Sequence, residues 1–275
     1  MRIKRLLISL GGGLFLAALP FLGGVASVSA APPSCTTIAT SPIATNTPLG
    51  KGYFCGPVTI DASSEPVTLS GFGTHFTYIV GGGPVVTVEG GYAVTIKDLT
   101  IENGDNTTTL TGGGIYNSDS GGLTLDSVVV KNNQVALGGG GGGIYTSTKL
   151  TVDQSQVLNN STPINLGYAV GGGIFNAGAS VTLSDSQVSG NTAQYTGGIF
   201  DQSSGTLTMT DSLVSGNYAR ASGGGIQIQP GGQLTLASSI VSENNCAGSS
   251  GGGIYNQGRA NITDAKFDGG GVAVH

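Results

Sequence analysis

The chain has 275 residues, of which 50 are glycine, 9% are charged and none is tryptophan. Ordinary domains carry about 25% charged residues. Disordered chains are highly charged and poor in β-branched residues, whereas this chain is rich in valine, isoleucine and threonine. The formal net charge is −5, and an acidic balance without a basic patch argues against nucleic acid or an anionic membrane surface as a partner.

Residues 1–30 are predicted to be a secretory signal peptide. They begin with Arg2, Lys4 and Arg5, continue with the apolar stretch 6–25 and end at the small-residue cleavage site Val28-Ser29-Ala30. An uncleaved amino-terminal anchor is the alternative. Cleavage leaves seven basic side chains (ten minus three) against fifteen acidic ones, a net charge of about −8. We expect a secreted protein, extracellular or at the cell surface, without a membrane span after cleavage, because no second apolar run of that length follows.

Residues 31–56, which are rich in threonine and proline, are predicted to form an N-terminal cap. They contain Cys35 and Cys55, which we expect to pair in a disulfide because an exported chain meets an oxidising compartment. The third cysteine, Cys246, is expected to be free. The chain has two histidines and no Cys-x-x-Cys pair, so we predict no zinc site.

Two short strings alternate along residues 57–275. In the first, two or three glycines precede an isoleucine, and the isoleucines lie 25 to 30 residues apart, at Ile115, Ile144, Ile174, Ile199, Ile226 and Ile254. The second begins with an apolar-Thr-apolar triplet and recurs every 26 to 31 residues, from Val94, Leu123, Leu150, Val181, Leu207 and Leu234, with a weaker copy at Ala260. Similarity at a fixed period indicates a repeat architecture.

The residue pattern within each repeat indicates which kind of repeat architecture the chain forms. Every copy holds short runs that alternate apolar and small polar residues, which predicts strands, and none holds a ten-residue run with helical spacing. A period of about 27 residues with two or three strands fits one coil of a parallel β-solenoid. We predict about eight coils over 57–275, the first of them imperfect, with Val67 placed 27 residues before Val94.

The position of a residue within the second string predicts which way it points. Positions in this string are called letters and are counted from the first residue of the apolar-Thr-apolar triplet. Side chains alternate between the two faces of a strand. The apolar first, third and eighth letters should therefore form the core, and the threonine at letter two should point outward. The asparagine at letter eleven, as in Asn133 and Asn160, should mark a turn and stack amide to amide along the axis. We also expect this asparagine to accept the left-handed backbone of a sharp corner.

The strings GGGI[YF]N and LTLxxSxVSxN resemble those of secreted bacterial right-handed parallel β-helix proteins of the pectate-lyase-like superfamily. They are also similar to the repeats of polymorphic outer membrane proteins, which carry GGAI and FxxN motifs. The resemblance covers residues 57–272 and implies an all-β fold, a right-handed parallel β-helix (β-solenoid). For function it implies several classes, because these families include adhesins, autotransporter passengers, pectate lyases and glycosidases.

The residue after each isoleucine belongs to a candidate binding ladder. The column reads Tyr116, Tyr145, Phe175, Phe200, Gln227 and Tyr255. Because glutamine is poorly suited to a core, we predict that the column points outward, as a strip of stacked rings beside glycine backbone. The strip could stack on sugar rings; alternatively, the rings only stabilise neighbouring coils.

Aspartates recur near the middle of the second string. They stand at Asp98, Asp185, Asp211 and Asp264, with Asp126 and Asp153 one position earlier. They could bind calcium or form an acid–base pair, or they could occupy turn corners. Beyond the signal peptide the chain has two arginines and lacks the Gly-His-Gly and Arg-x-Lys elements that polygalacturonases show. We therefore predict no catalytic residue, no metal site and no cofactor.

These patterns predict a secreted, non-enzymatic, adhesin-like surface module that presents an extended face to a polysaccharide, a surface or other copies of itself. The alternative is a polysaccharide lyase or glycoside hydrolase acting on acidic polysaccharide. The last string, from Ala260 to His275, ends without a closing helix. We expect this coil to associate with another copy, or the chain to be a shortened member of a longer family.

Overall fold

The computed structural model describes residues 34–39, 41–107, 111–136, 138–164, 167–248, 251–269 and 272–274. These residues belong to one compact unit. The predicted signal peptide, residues 1–30, lies outside the described residues. Over the described ranges the chain forms β-strands and no α-helix. None of these ranges contains a helix that is long and apolar enough to cross a membrane.

The strands stack into four ladders, in which each strand pairs in parallel with the strand one coil later. The first ladder holds Thr47–Pro48, Val67–Ser70, Leu150–Asp153, Ser180–Ser184, Thr206–Thr210, Gln233–Ala237 and Arg259–Thr263. The second holds Thr36–Thr37, Gly52–Cys55, Thr77–Val80, Gln156–Leu158, Gln187–Ser189, Leu213–Ser215, Ile240–Ser242 and Lys266–Asp268. Two longer strands, Val94–Glu102 and Leu123–Lys131, run through both of these ladders.

The other two ladders complete the circuit of each coil. The third holds Asp105–Asn106, Gln134–Val135, Thr192–Tyr195, Tyr218–Ser222 and Asn245–Cys246, with Ser161 bridging the second and third of them. The fourth holds Val58–Ala62, Val86–Gly90, Ile115–Asn117, Ile144–Thr146, Ile174–Asn176, Ile199–Asp201, Ile226–Ile228, Ile254–Asn256 and Val272–Val274. The predicted all-β parallel β-solenoid of about eight coils is confirmed.

The core is a column of aliphatic side chains enclosed by the coils. Leu123 lies opposite both Val94 and Leu150, so equal letters of the string stack on one another. The first, third and eighth letters are buried as predicted, for example Leu150, Val152 and Val157. The threonines at letter two are half-buried and point outward. Burial of one such aliphatic side chain contributes about 1.5–3 kcal/mol to stability. Each coil buries several of these side chains.

A ladder of buried asparagines runs along the corner that follows the second ladder. Its members are Asn133, Asn160, Asn191, Asn217 and Asn244, all at most 2% exposed. The side-chain amide of each of the first four donates to the side-chain oxygen of the next, at 2.9–3.1 Å. The same amide donates to a main-chain carbonyl of the coil before. The predicted asparagine stacking is confirmed.

The left-handed backbone of this corner lies one position earlier than we predicted. Letter ten carries the positive φ, as at Asn132 (55°), Asn159 (53°) and Gly190 (66°). The letter-ten residue is exposed and makes the bend, whereas the asparagine after it is buried and directs its amide along the axis. One residue cannot do both, because the left-handed position turns its side chain away from the stack.

A second polar ladder, of buried serines at letter six, was not predicted. Its members are Ser155, Ser186, Ser212 and Ser239. Each hydroxyl oxygen accepts the backbone N–H of the letter-six residue one coil earlier, at 2.9–3.2 Å. Each hydroxyl also donates to the carbonyl two residues before it. The signal was present in the sequence, since serine is the common letter six of these four copies.

Close approach of backbones explains the glycine string. The first glycine of one copy, Gly141, has a φ of 71°. A Cβ on Gly142 would lie 2.4 Å from the carbonyl oxygen of Ser161, and one on Gly143 would lie 2.9 Å from the amide nitrogen of Asn160. The string therefore brings the start of the fourth ladder against the third ladder and the asparagine ladder, where a larger residue does not fit.

The segment predicted as an N-terminal cap contributes to the ladders. Thr36–Thr37 pairs with Gly52–Cys55, which pairs with Thr77–Val80. Ile43 bridges in parallel to Ile60, in the fourth ladder. The ladders therefore extend into residues 34–56, although the repeated strings begin later.

All three cysteines of the chain are described. A disulfide joins Cys35, which directly precedes the strand Thr36–Thr37, to Cys55 at the end of the strand Gly52–Cys55, with Cα atoms 5.1 Å apart. Cys246 is free and half-buried in the third ladder. The disulfide thus ties the start of the described chain to the strand that stacks on it.

The core columns become exposed in the last coil that the structure describes. Ile262 and Phe267 occupy letters three and eight, and each is 42% exposed. Their counterparts one coil earlier, Leu236 and Val241, are buried. The prediction that these letters are enclosed in the core is therefore wrong for the coil that contains Ile262 and Phe267.

Candidate functional site

The residues of the candidate binding ladder lie in the fourth ladder, one position after the buried isoleucines. The isoleucine of each glycine string is buried, and the residue after it points to the opposite face. Parallel pairing stacks the outward residues in one column, Thr59, Thr87, Tyr116, Tyr145, Phe175, Phe200, Gln227 and Tyr255. Since side chains alternate along a strand, the buried isoleucines fix the facing of this column.

Four aromatic rings of the column contact one another in sequence. Tyr116 and Tyr145 are stacked, with ring centroids 5.2 Å apart and planes at 3°. Tyr145 meets Phe175 edge to face at 5.3 Å, and Phe175 meets Phe200 in the same manner at 5.3 Å. Such pairs contribute about 0.5–1.5 kcal/mol beyond their buried area, so the rings also stabilise adjacent coils.

The second half of the column is covered, which corrects the prediction of a continuous exposed strip. Phe200 is only 1% exposed, and the ring of Tyr168 lies against it, with centroids 6.5 Å apart. The Phe175 ring packs so closely on Gly140 that a Cβ there would lie 2.1 Å away. Both covering residues belong to connections between the third and fourth ladders. Those connections differ in length from coil to coil, so the repeat pattern does not predict them.

Gln227 interrupts the column and is also buried. It is 5% exposed, and its side-chain oxygen accepts hydrogen bonds from the hydroxyls of Thr196 at 2.7 Å and Ser222 at 3.0 Å. Beyond it, Tyr255 is half-buried. The candidate ladder therefore divides into an open part with the half-buried rings of Tyr116, Tyr145 and Phe175, a covered part at Phe200 and Gln227, and the half-buried Tyr255 beyond it.

A groove opens where the column changes from threonine to tyrosine. It has a volume of about 310 Å³ and is lined by Pro84, Thr87, Thr111 and Tyr116. Tyr116 stacks on Tyr145 on one side, whereas its partner on the other side is the much smaller Thr87. Among the described residues, no aromatic ring stacks on the face toward Thr87, and this face forms a wall of the groove. The step from Thr87 to Tyr116 is the sequence signal for this site, which we did not predict.

The hydroxyl of Tyr145, whose ring stacks on Tyr116 beside this groove, is neutral at physiological pH. Burial raises the pKa of the Tyr145 phenol above its ordinary 10.0, and the neighbouring Tyr116 adds to the effect. A protonated phenol can donate one hydrogen bond and accept others. The open part of the column thus combines an apolar ring face with polar hydroxyl groups.

The aspartates of the second string lie apart from this groove, at the corner between the first and second ladders. Letter five has a left-handed backbone, with φ of 57° at Asp98, 47° at Asp185, 50° at Asp211 and 53° at Asp264. Ser127 and Gln154 occupy the same position in other coils with φ of 55° and 46°. The corner reading of these aspartates therefore accounts for their recurrence. No group of three potential metal ligands gathers among the described side chains.

One comparison with known proteins, a family model, agrees with the architecture. A family model described as right handed beta helix region matches residues 84–274. Among solved structures, the mannuronan C-5 epimerase AlgE4 A-module of Azotobacter vinelandii is similar over 84% of this chain and 89% of that chain, with 13% identity and a TM-score of 0.30. A likeness at that level carries no argument about function. No curated protein matches the sequence.

Proposed function

The chain belongs to the right-handed β-helix family, and we propose that within this fold it is an exported, non-enzymatic binding module for polysaccharide. The proposed site is the groove beside Tyr116, at the open end of the aromatic column. A solenoid suits this role because it offers a long, rigid surface along which a polymer can lie.

The observation that carries the proposal is the uncovered ring face of Tyr116. Its other face is held by Tyr145, with ring centroids 5.2 Å apart and planes at 3°, so the ring is fixed in place before a ligand arrives. A sugar ring has an apolar C–H face that can stack on such a surface. A ring that is already immobilised loses little conformational entropy on binding.

The lining of the groove supports a sugar rather than a charged ligand. Pro84, Thr87, Thr111 and Tyr116 carry hydroxyl and apolar groups and no carboxylate or ammonium. The volume of about 310 Å³ is at the lower end of the range for ligand sites, about 300–1,000 Å³. The groove is therefore suited to one segment of a chain whose remainder extends along the surface.

Binding to a panel of neutral and acidic polysaccharides tests the proposal, with each sample also assayed for released reducing and unsaturated ends. We expect one neutral polysaccharide to bind without cleavage. Tyr116→Ala should weaken that binding by roughly 2- to 10-fold, the equivalent of 0.5–1.5 kcal/mol for an aromatic contact. Thr87→Tyr should weaken it as well, because it extends the column by one ring and fills the groove.

Tyr92→Ala is the matched control, because Tyr92 is 47% exposed and does not line the groove. It should bind as the unmodified protein does. If Tyr116→Ala and Thr87→Tyr both bind as tightly as the unmodified protein, the groove is not the binding site. Release of cleaved products would instead support the alternative enzymatic function.

A further inference from the structure

The column next to the aromatic one is polar and enclosed within the coil. The last residues of the fourth-ladder strands stack as Asn117, Thr146, Asn176, Asp201, Ile228 and Asn256. All six are at most 2% exposed. The side-chain amide of Asn117 donates a hydrogen bond to the Thr146 hydroxyl at 2.9 Å. Buried polar side chains in neighbouring coils are expected to form such hydrogen bonds with one another. Asp201 is the one carboxyl group in this column.

Asp201 has a partner on one side only. Its Oδ1 accepts a hydrogen bond from the amide of Asn176 in the coil before. In the coil after, the paired residue is Ile228, which has no polar side-chain atom. The Oδ2 atom of Asp201 is buried and has no hydrogen-bond partner. A buried ionised oxygen without a donor is strongly unfavourable.

Glycine backbone packs closely against both oxygens of the Asp201 carboxyl group. A Cβ on Gly205 would lie 2.0 Å from Oδ1, and one on Gly232 would lie 2.8 Å from Oδ2. The packed segments that enclose Asp201, namely 171–184, 196–210 and 221–242, contain no other ionisable side chain. None of these three segments therefore supplies a cation to balance an ionised Asp201.

We propose that Asp201 makes the solenoid sensitive to protons, with its coil closed when the carboxyl group is protonated and opening locally when it is ionised. A protonated carboxyl keeps the hydrogen bond from Asn176 and places no charge against Ile228. Ionisation leaves a charge in an apolar, enclosed position. The strand Ile199–Asp201 also carries the covered Phe200, so opening of this coil uncovers that part of the aromatic column.

The direction of the pH dependence follows from the carboxyl group. Desolvation raises the pKa of Asp201 from 3.8 to about 7, against the smaller opposing effect of the hydrogen bond from Asn176. An opened coil returns the group to its ordinary pKa of about 3.9. The closed state binds the proton more tightly, so its stability is complete below about pH 4, falls as the pH rises to about 7, and then levels off.

Hydrogen exchange tests this proposal on the folded protein. The amides of Ile199–Asp201 and Ile226–Ile228 are followed between pH 5 and pH 8, and each rate is corrected for intrinsic exchange. We expect their protection to fall by about a hundredfold between pH 5 and pH 7, because the linkage is up to tenfold per pH unit. Above pH 7 the protection should level off.

Two variants separate this effect from general pH effects. Asp201→Asn should abolish the pH dependence, since asparagine already occupies this column at Asn117, Asn176 and Asn256. Asp211→Asn is the matched control, because Asp211 is exposed at a left-handed corner, and it should retain the wild-type pH dependence. If Asp201→Asn retains that dependence as well, the proposal is wrong.

A carboxyl titration by carbon-13 NMR on the unmodified protein keeps the test decisive if Asp201→Asn does not fold. The Asp201 resonance should titrate near neutral pH, well above the ordinary aspartate pKa of about 3.9. A midpoint below about pH 5 would overturn the proposal, because the carboxyl group would then be ionised in the closed coil throughout the tested range.

Discussion

Ile174 and Phe175 are adjacent in the chain and have opposite surroundings. Ile174 is 0% exposed within the core, whereas Phe175 is half-buried on the outer face between Tyr145 and Phe200. Alternation along a strand was sufficient to predict this difference. The close contact between the Phe175 ring and Gly140 was not predictable, because Gly140 belongs to a connection outside the repeated strings.

Substitution of these two residues tests which side chains of the fourth ladder point into the core and which point outward. Ile174→Ala leaves a cavity in the core and should lower the free energy of unfolding by roughly 2–5 kcal/mol. Phe175→Ala removes edge-to-face contacts on the outer face and should cost clearly less. Urea unfolding followed by circular dichroism gives both values. A larger loss for Phe175→Ala would show that the outer column contributes more than the core at this level of the solenoid.

The asparagine ladder is the element that most closely links one coil to the next. Asn160 accepts hydrogen bonds from both the backbone N–H and the amide of Asn133, each at 3.0 Å. It donates from its own amide to the carbonyl of Val130 and to Asn191. Because all these groups are buried, the ladder has no water to replace a missing member.

Removal of one member of this ladder should be more harmful than a change at the adjacent corner. Asn160→Ala leaves buried donors of Asn133 without an acceptor, and each such group costs roughly 1–3 kcal/mol. The matched variant is Asn159→Gly, at an exposed position with a φ of 53°, where glycine occurs in neighbouring coils. It should be close to neutral. Unfolding free energies of the two variants check this, and equal losses would contradict the division of roles between letters ten and eleven.

At the scale of the whole molecule, the two ends of the described solenoid differ. The amino-terminal strands are tied by the Cys35–Cys55 disulfide. At the other end, Ile262 and Phe267 are each 42% exposed, although they occupy core letters. Exposed apolar groups beside strand edges favour association with another chain.

Self-association through this coil is a prediction that sedimentation can check. The protein should form dimers or larger species as its concentration rises, and Phe267→Ser should shift it toward monomer. Tyr92→Ser is the matched control, since Tyr92 is similarly exposed, at 47%, in a different part of the chain. A monomer at every concentration, with strong hydrogen-exchange protection of amides 262–268, would contradict the prediction.

The sequence by itself determined the solenoid, its inward columns and the asparagine ladder. These features depend on two periods, alternation along each strand and recurrence every 27 residues or so, and both are visible without coordinates. A residue such as Leu150 or Asn160 has the same surroundings as its counterpart one coil away. Its environment can therefore be inferred from the string alone.

Only the tertiary structure decided where the periodicity breaks. Tyr168 covers Phe200, Thr87 leaves a ring face of Tyr116 open, and Ile228 offers no polar group to Asp201, whose Oδ2 has no hydrogen-bond partner. Each feature arises from contact between unequal neighbours, either a longer connection or a different residue in the next coil. The free energy of such a contact depends on the space between two particular coils, which a pattern averaged over all copies does not contain.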